Sequence, residues 1–217
     1  MGRTRGAVAA LGLVLAGWPA AGIAQTAITP DVAAGRALST TVTQAGTVFS
    51  IDGGTRAGAN LFHSFSRFDV GAGDTAAWVR AAGDAGDIRN VVSRVTGGQA
   101  STIAGVIDST ALPNAAFYFV NPAGIVFGAG ARLNVPSAAH FSTASDLRFA
   151  DGARFAIAAP DGSTLSVAAP EAWGFVGGQG DITVAGAGLN FAGATTRLAF
   201  TGANVGISDS TFAPGGL

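Results

Sequence analysis

From Asp146 onward the chain is a series of apolar pairs with one residue between their members: Leu147/Phe149, Phe155/Ile157, Leu165/Val167, Trp173/Phe175, Ile182/Val184, Leu189/Phe191, Leu198/Phe200 and Val205/Ile207. Alternation with a period of two marks a strand that buries one face. Between the pairs stand Asp151-Gly152, Asp161-Gly162, Gly177-Gly178, Gly186-Ala187-Gly188 and Gly202-Ala203-Asn204, all of them tight-turn sequences. A chain punctuated roughly every 7–10 residues has room only for strands of about three to five residues, short for a sandwich. No long Greek-key connection is visible. Three such strands per coil give a stacked solenoid, in which each backbone group pairs with the coil above or below. No strict repeat is present, so periodicity alone leaves a sandwich or barrel open.

Composition argues against helix. Glycine accounts for 33 of 217 residues, charged residues for only 12%, all 12 basic residues are arginine, and Glu171 is the only glutamate. Exposed helices draw on Lys and Glu, and both are nearly missing. Without Arg3 and Arg5, which fall in the leader described next, 10 basic residues face 13 acidic ones. The resulting formal charge of −3 is spread along the chain, and nothing in it makes a nucleic-acid footprint.

Arg3 and Arg5 precede an apolar run from Ala7 to Gly17, with small residues at Gly22 and Ala24 before Gln25. This is the pattern of a secretory signal peptide over residues 1–24. The run is shorter than the ~20 residues that span a bilayer. The exported chain has no cysteine, so burial and backbone hydrogen bonding must hold it together.

Four ordered blocks lie between Gly46 and Thr143. They are Asn60-Leu61-Phe62-His63-Ser64-Phe65 with Phe68 and Val70; Asn90-Val91-Val92-Ser93-Arg94-Val95-Thr96-Gly97-Gly98; Phe119-Val120-Asn121-Pro122-Ala123-Gly124-Ile125-Val126-Phe127-Gly128, followed by Ala131 to Val135; and Phe141-Ser142-Thr143-Ala144. Together they resemble the haemagglutination-activity domain that opens filamentous-haemagglutinin-type exoproteins, the two-partner secretion domain. The resemblance implies an all-β, right-handed parallel β-helix with an N-terminal cap over residues 25–145, further coils over residues 146–217 that belong either to a truncated exoprotein or to a minimal secreted module, and no enzymatic activity or cofactor. It also implies passage through the periplasm of a Gram-negative cell and recognition by the periplasmic domains of a dedicated outer-membrane β-barrel transporter. Folding would follow at the cell surface or in the medium, for adhesion and virulence. A host-cell or sugar receptor and end-to-end self-association are the further partners expected. Carried onto this sequence, the secretion motif is Asn60, Leu61, Phe62, Asn121, Pro122, Gly124 and Ile125. Ala123 stands where the family usually has asparagine, removing one hydrogen-bonding side chain, and Pro136-Ser137 stands where relatives tend to have glycines.

The same residues have a plain conformational reading. Asparagine and proline start turns, and Gly124 can take a positive φ that returns the chain into Ile125-Val126-Phe127. Asn121 to Gly124 is therefore a tight corner, which either only builds the fold or also touches the transporter. Asn60 either serves transporter recognition or begins a turn. Phe62, Phe65 and Phe68, spaced by three, suggest a helical or turn segment that caps the open end of the solenoid, the alternative being a ligand-binding aromatic patch.

Catalytic motifs are missing. His63 and His140 are the two histidines, and neither lies in a nucleophile-elbow or zinc pattern. Without lysine there is no phosphate-loop lysine, and Asp84 and Asp87 lie in a Gly-Ala-rich stretch that reads as a solvated loop. A secreted β-helical polysaccharide lyase or hydrolase, the alternative reading, needs acidic residues clustered on one face, which the strands scarcely offer.

Overall fold

β-Branched and aromatic side chains at alternate positions hold each short stretch extended, because they fit a pleated, half-buried surface. The computed structural model describes residues 25–84, 86–186, 188–192 and 197–215. The leader expected at residues 1–24 lies outside the described residues. β1 (Ala27–Pro30), the hairpin β2 (Thr40–Ala45) and β3 (Val48–Gly53), and β4 (Thr55–Ala57) precede the first rung, β5 (Asn60–Asp69) and β6 (Thr75–Trp78). β7 (Asn90–Val95), β8 (Ser101–Ile103) and β9 (Val106–Asp108) make the second rung, and β10 (Ala116–Val120), β11 (Ile125–Phe127) and β12 (Arg132–Asn134) the third. β13 (Ala139–Ser142) opens a fourth rung. An excursion through β14 (Asp146–Phe149), β15 (Arg154–Ala156) and β16 (Pro170–Gly174) interrupts it before β17 (Ile182–Ala185) and β18 (Gly188–Ala192) complete it. β19 (Leu198–Thr201), β20 (Val205–Ser208) and β21 (Thr211–Gly215) form the last.

Equivalent strands of successive rungs pair in parallel. One sheet runs β5-β7-β10-β13-β19, a second β3-β6-β9-β12-β18-β21 and a third β8-β11-β17-β20. The protein is an all-β solenoid of about 6 turns, as its periodicity and family resemblance led us to expect. Residues in register stack inside it: Leu61, Val91, Phe117, Ala139 and Leu198 form one column, and His63, Ser93, Phe119, Phe141 and Phe200 another. Aromatic contacts join the rungs, with ring centres 4.7 Å apart for Trp78 and Phe117, 6.1 Å for Phe119 and Phe141, and 5.9 Å for Phe141 and Phe200. Each buried apolar side chain of this size contributes about 1.5–3 kcal/mol.

The N-terminal end is closed by reversing the chain. β1 pairs antiparallel with β5 and β2 antiparallel with β3, so two of the three sheets end in a strand of opposite direction. Ile28 and Val42 pack against the end of the core. An unpaired parallel edge would otherwise invite another chain to add a strand.

The structure corrects two local expectations. Phe62, Phe65 and Phe68 form neither a helix nor a turn; all three lie on β5. Opposite Thr29-Pro30 of β1 the register slips by one residue, because Thr29 faces Arg67 and Pro30 faces Phe65. Ser66 is the extra residue of this bulge. It lets Phe65 and Phe68 both face the core, while Phe62 points outward. The second correction concerns residues 146–174, which form no coil. β14 pairs antiparallel with both β15 and β16, and the small sheet folds back against the outside of the solenoid. There Leu147, Phe149, Phe155 and Ile157 bury the outward-facing Phe62, Val92 and Val120.

Candidate functional site

Three of the sequence blocks have their strands on β5, β7 and β13, and the third block runs from β10 into β11, so all four meet on consecutive rungs of one sheet. Asn60 and Asn90 are in register. The Asn90 amide donates to Asn60 Oδ1 at 2.7 Å, and Asn60 Nδ2 donates to the carbonyls of Ser166 and Ala168 at 2.8 and 2.7 Å. Asn60 thus fastens the segment that leads into β16 to the first rung, and it is buried. Leu61 enters the core, whereas Phe62 lies between Phe155 and Phe149, at ring distances of 5.0 and 5.8 Å.

The second block contributes a buried cation. Arg94 points outward from β7 into the seam beneath the excursion and is fully buried. Its guanidinium donates to Ser64 Oγ at 2.8 Å, the Ala156 carbonyl at 2.7 Å, Ser163 Oγ, and the Arg36 carbonyl at 3.1 Å. Asp31, the nearby anion, accepts from Ser64 Oγ at 2.6 Å and Thr96 Oγ1 at 2.9 Å. Burial lowers the Arg94 pKa to about 10, with Asp31 opposing the shift. The side chain stays charged at neutral pH and ties cap, solenoid and excursion together. The sequence pattern did not single out Arg94, although an arginine in a strand with valines at 91, 92 and 95 was the available signal.

The third block forms the expected corner. Asn121 Oδ1 accepts from the Ala123 amide at 3.0 Å, and the Gly124 amide closes the turn on the Asn121 carbonyl, also at 3.0 Å. Gly124 has φ +124°, a conformation open to glycine. Asn121 Nδ2 donates to the Gln99 carbonyl and to Ser101 Oγ, both at 2.9 Å, which anchors the corner to the preceding rung. The Gly180 amide donates to the Pro122 carbonyl at 2.7 Å, holding the following rung. Ile125 is buried in the core, Asn121 is buried, and Pro122 and Ala123 are half-buried. Beside the corner a shallow hollow of about 320 Å³ runs between Thr96 and Gly98 of the second block, Asn121 to Ala123 of the third, and Ile157 and Ala158 of the excursion.

The catalytic candidates are placed apart. His63 faces the core and Ser64 the outer seam, because neighbours on a strand point to opposite faces, so the two cannot form a dyad. His63 Nδ1 lies 3.3 Å from Thr40 Oγ1, its Nε2 has no partner, and burial lowers its pKa to about 3. Asp84 is held by Arg56 and the Gly86 amide, and Asp87 by Arg89. Among the described residues no three His, Cys, Asp or Glu side chains come together to hold a metal ion.

A family model described as the TPS secretion domain matches residues 26–216. No curated protein matches the chain.

Proposed function

The chain belongs to the two-partner secretion (TPS) domain family, and from that premise we propose that its transporter reads the motif residues in the unfolded chain, before folding hides them. The family is a secretion module and not a family of enzymes, and its membership implies export through an outer-membrane partner of the two-partner class. In this reading the leader at residues 1–24 directs the chain to the periplasm. There the transporter's periplasmic domains engage Asn60, Leu61, Phe62, Asn121, Pro122, Gly124 and Ile125. The chain then folds outside as a solenoid and serves adhesion to a host-cell or sugar receptor.

One observation carries this: of the seven residues only Pro122 has a half-exposed side, and the others are buried in the folded protein. An extended chain offers their side chains and backbone groups freely, and a folded one does not. Stacking makes the sequence of events directional. Each rung buries the face of the one before it, so every coil formed outside adds free energy against return. Ala123 removes one side-chain amide from the corner that the transporter would read, and its own backbone amide already serves Asn121.

The test is a secretion assay of the tagged chain in a Gram-negative host, with and without the cognate transporter, together with binding of the transporter's periplasmic domains to folded and urea-unfolded protein. Transporter-dependent appearance in the medium or at the surface, with binding of the unfolded form alone, is the expected result. Equal release without the transporter rejects the secretion reading. Equal binding of folded protein rejects recognition before folding.

A further inference from the structure

The outward-facing column that begins with Phe62 and Val92 continues through Tyr118, His140 and Ala199, in register on β10, β13 and β19. The excursion covers the first members of the column but not the last. Tyr118 and His140 lie face to face, with ring centres 4.5 Å apart and planes inclined by only 5°. The next rung supplies alanine where a ring would continue the stack. The space above Ala199 is a pocket of about 270 Å³, walled by β16 of the excursion through Glu171 and Trp173 and lined beside Ala199 by Arg197 and Thr201. Trp173 stands 6.1 Å from Tyr118, tilted by 56°.

We propose that this pocket binds one ring of a neutral saccharide. The outer face of His140, not covered by Tyr118, and the inclined ring of Trp173 are placed to meet the C–H surface of a pyranose, while the polar edges of Tyr118 and Trp173 remain for hydroxyls. Glu171, the only glutamate of the chain, makes no ion pair among the described residues. Its carboxylate can accept from two neighbouring hydroxyls, and the Arg197 fork can donate to two more. Burial and then Arg197 lower the pKa of His140, so this ring is neutral at pH 7. One carboxylate and one guanidinium then cancel, which favours an uncharged sugar over a uronic or sialic acid. The volume lies slightly below the ~300–1,000 Å³ of sites for larger ligands, which suits a single ring. A lone carboxylate also cannot supply the acid and base pair of glycoside hydrolysis, so the site binds without cleaving. None of this rests on the secretion reading, because the pocket exists in the folded protein whatever route it took.

The experiment uses purified folded protein and a panel of methyl pyranosides, neutral and acidic, followed by tryptophan fluorescence and ligand-detected NMR. A single ring should bind with Kd of about 1 mM. Glu171→Gln should weaken a neutral sugar at least tenfold, and Ala199→Phe, which fills the pocket from an outward position, should abolish binding with unchanged circular dichroism and melting temperature. Binding of a neutral sugar that both variants lose establishes the site. No binding of any pyranoside at about 50 mM, fifty times that Kd, binding that survives Ala199→Phe, or preference for acidic sugars overturns the proposal.

Discussion

The guanidinium carbon of Arg94 lies 4.6 Å from the centre of the Phe155 ring, so a charge from the second rung rests on an aromatic face supplied by the excursion. The four acceptors around it come from three different parts of the chain: the cap, the first rung and the excursion. Removing the guanidinium takes the donor from four neutral acceptors, and leaving a buried polar group unsatisfied costs about 1–3 kcal/mol. Arg94→Ala should therefore lower unfolding free energy by an amount of that order, read by urea denaturation. Arg94→Lys should recover little, since one ammonium cannot reproduce the planar fork.

Asn121→Ala removes two donated hydrogen bonds and one accepted one. Unsatisfied buried groups cost about 1–3 kcal/mol each, so stability should fall by a few kcal/mol in a melting experiment. If the transporter also reads Asn121, secretion should fall further than in a variant of equal stability elsewhere, such as Leu133→Ala in the core. Equal losses in the two variants would mean that the corner acts through the fold alone.

His63 gives a pH dependence of known sign. Its folded pKa of about 3 lies below the ordinary 6.5, so the unfolded chain takes up the proton first. Its contribution to stability is complete above pH 6.5 and is lost as pH falls from 6.5 toward 3. His140 is shifted in the same direction, and the depressed Asp84 and Asp151 act only at lower pH. His63→Leu should flatten the stability profile between pH 6.5 and 4.5, measured by denaturation at each pH. An unchanged slope would show that His63 does not titrate in this range.

Gly97 and Gly98 should respond differently. A β-carbon at Gly97 would overlap the carbonyl of Ser66, the bulged residue of the preceding rung. Gly97→Ala should therefore break the rung contact and leave little folded protein. Gly98 has φ +74° with open space around it, so Gly98→Ala should cost only about 1–2 kcal/mol and Gly98→Asn less, as thermal melts would show.

Much of this architecture is legible in the sequence. The period-two pairs at Ile182/Val184, Leu198/Phe200 and Val205/Ile207 stand on strands of the solenoid, and Asn121 to Gly124 makes the corner its residue types called for. The pair Leu147/Phe149 has the same period and yet belongs to the antiparallel excursion. Periodicity reports which side chains share a face, and it carries no information about the neighbouring strand or its direction. Asn60 read as a turn or a recognition residue. Its partners Ser166 and Ala168 lie more than a hundred positions away, where no local pattern could point to them.

By itself, then, the sequence determined the strand-and-turn rhythm, the near absence of helix and the family, because these follow from local alternation, glycine placement and ordered motif blocks. Only the tertiary structure decided that Ser66 bulges, that residues 146–174 fold back over Phe62, and that Arg94 ends up buried beneath them. Those outcomes depend on contacts between segments far apart in the chain, where the burial of one apolar face selects its partner from several strands of equal period.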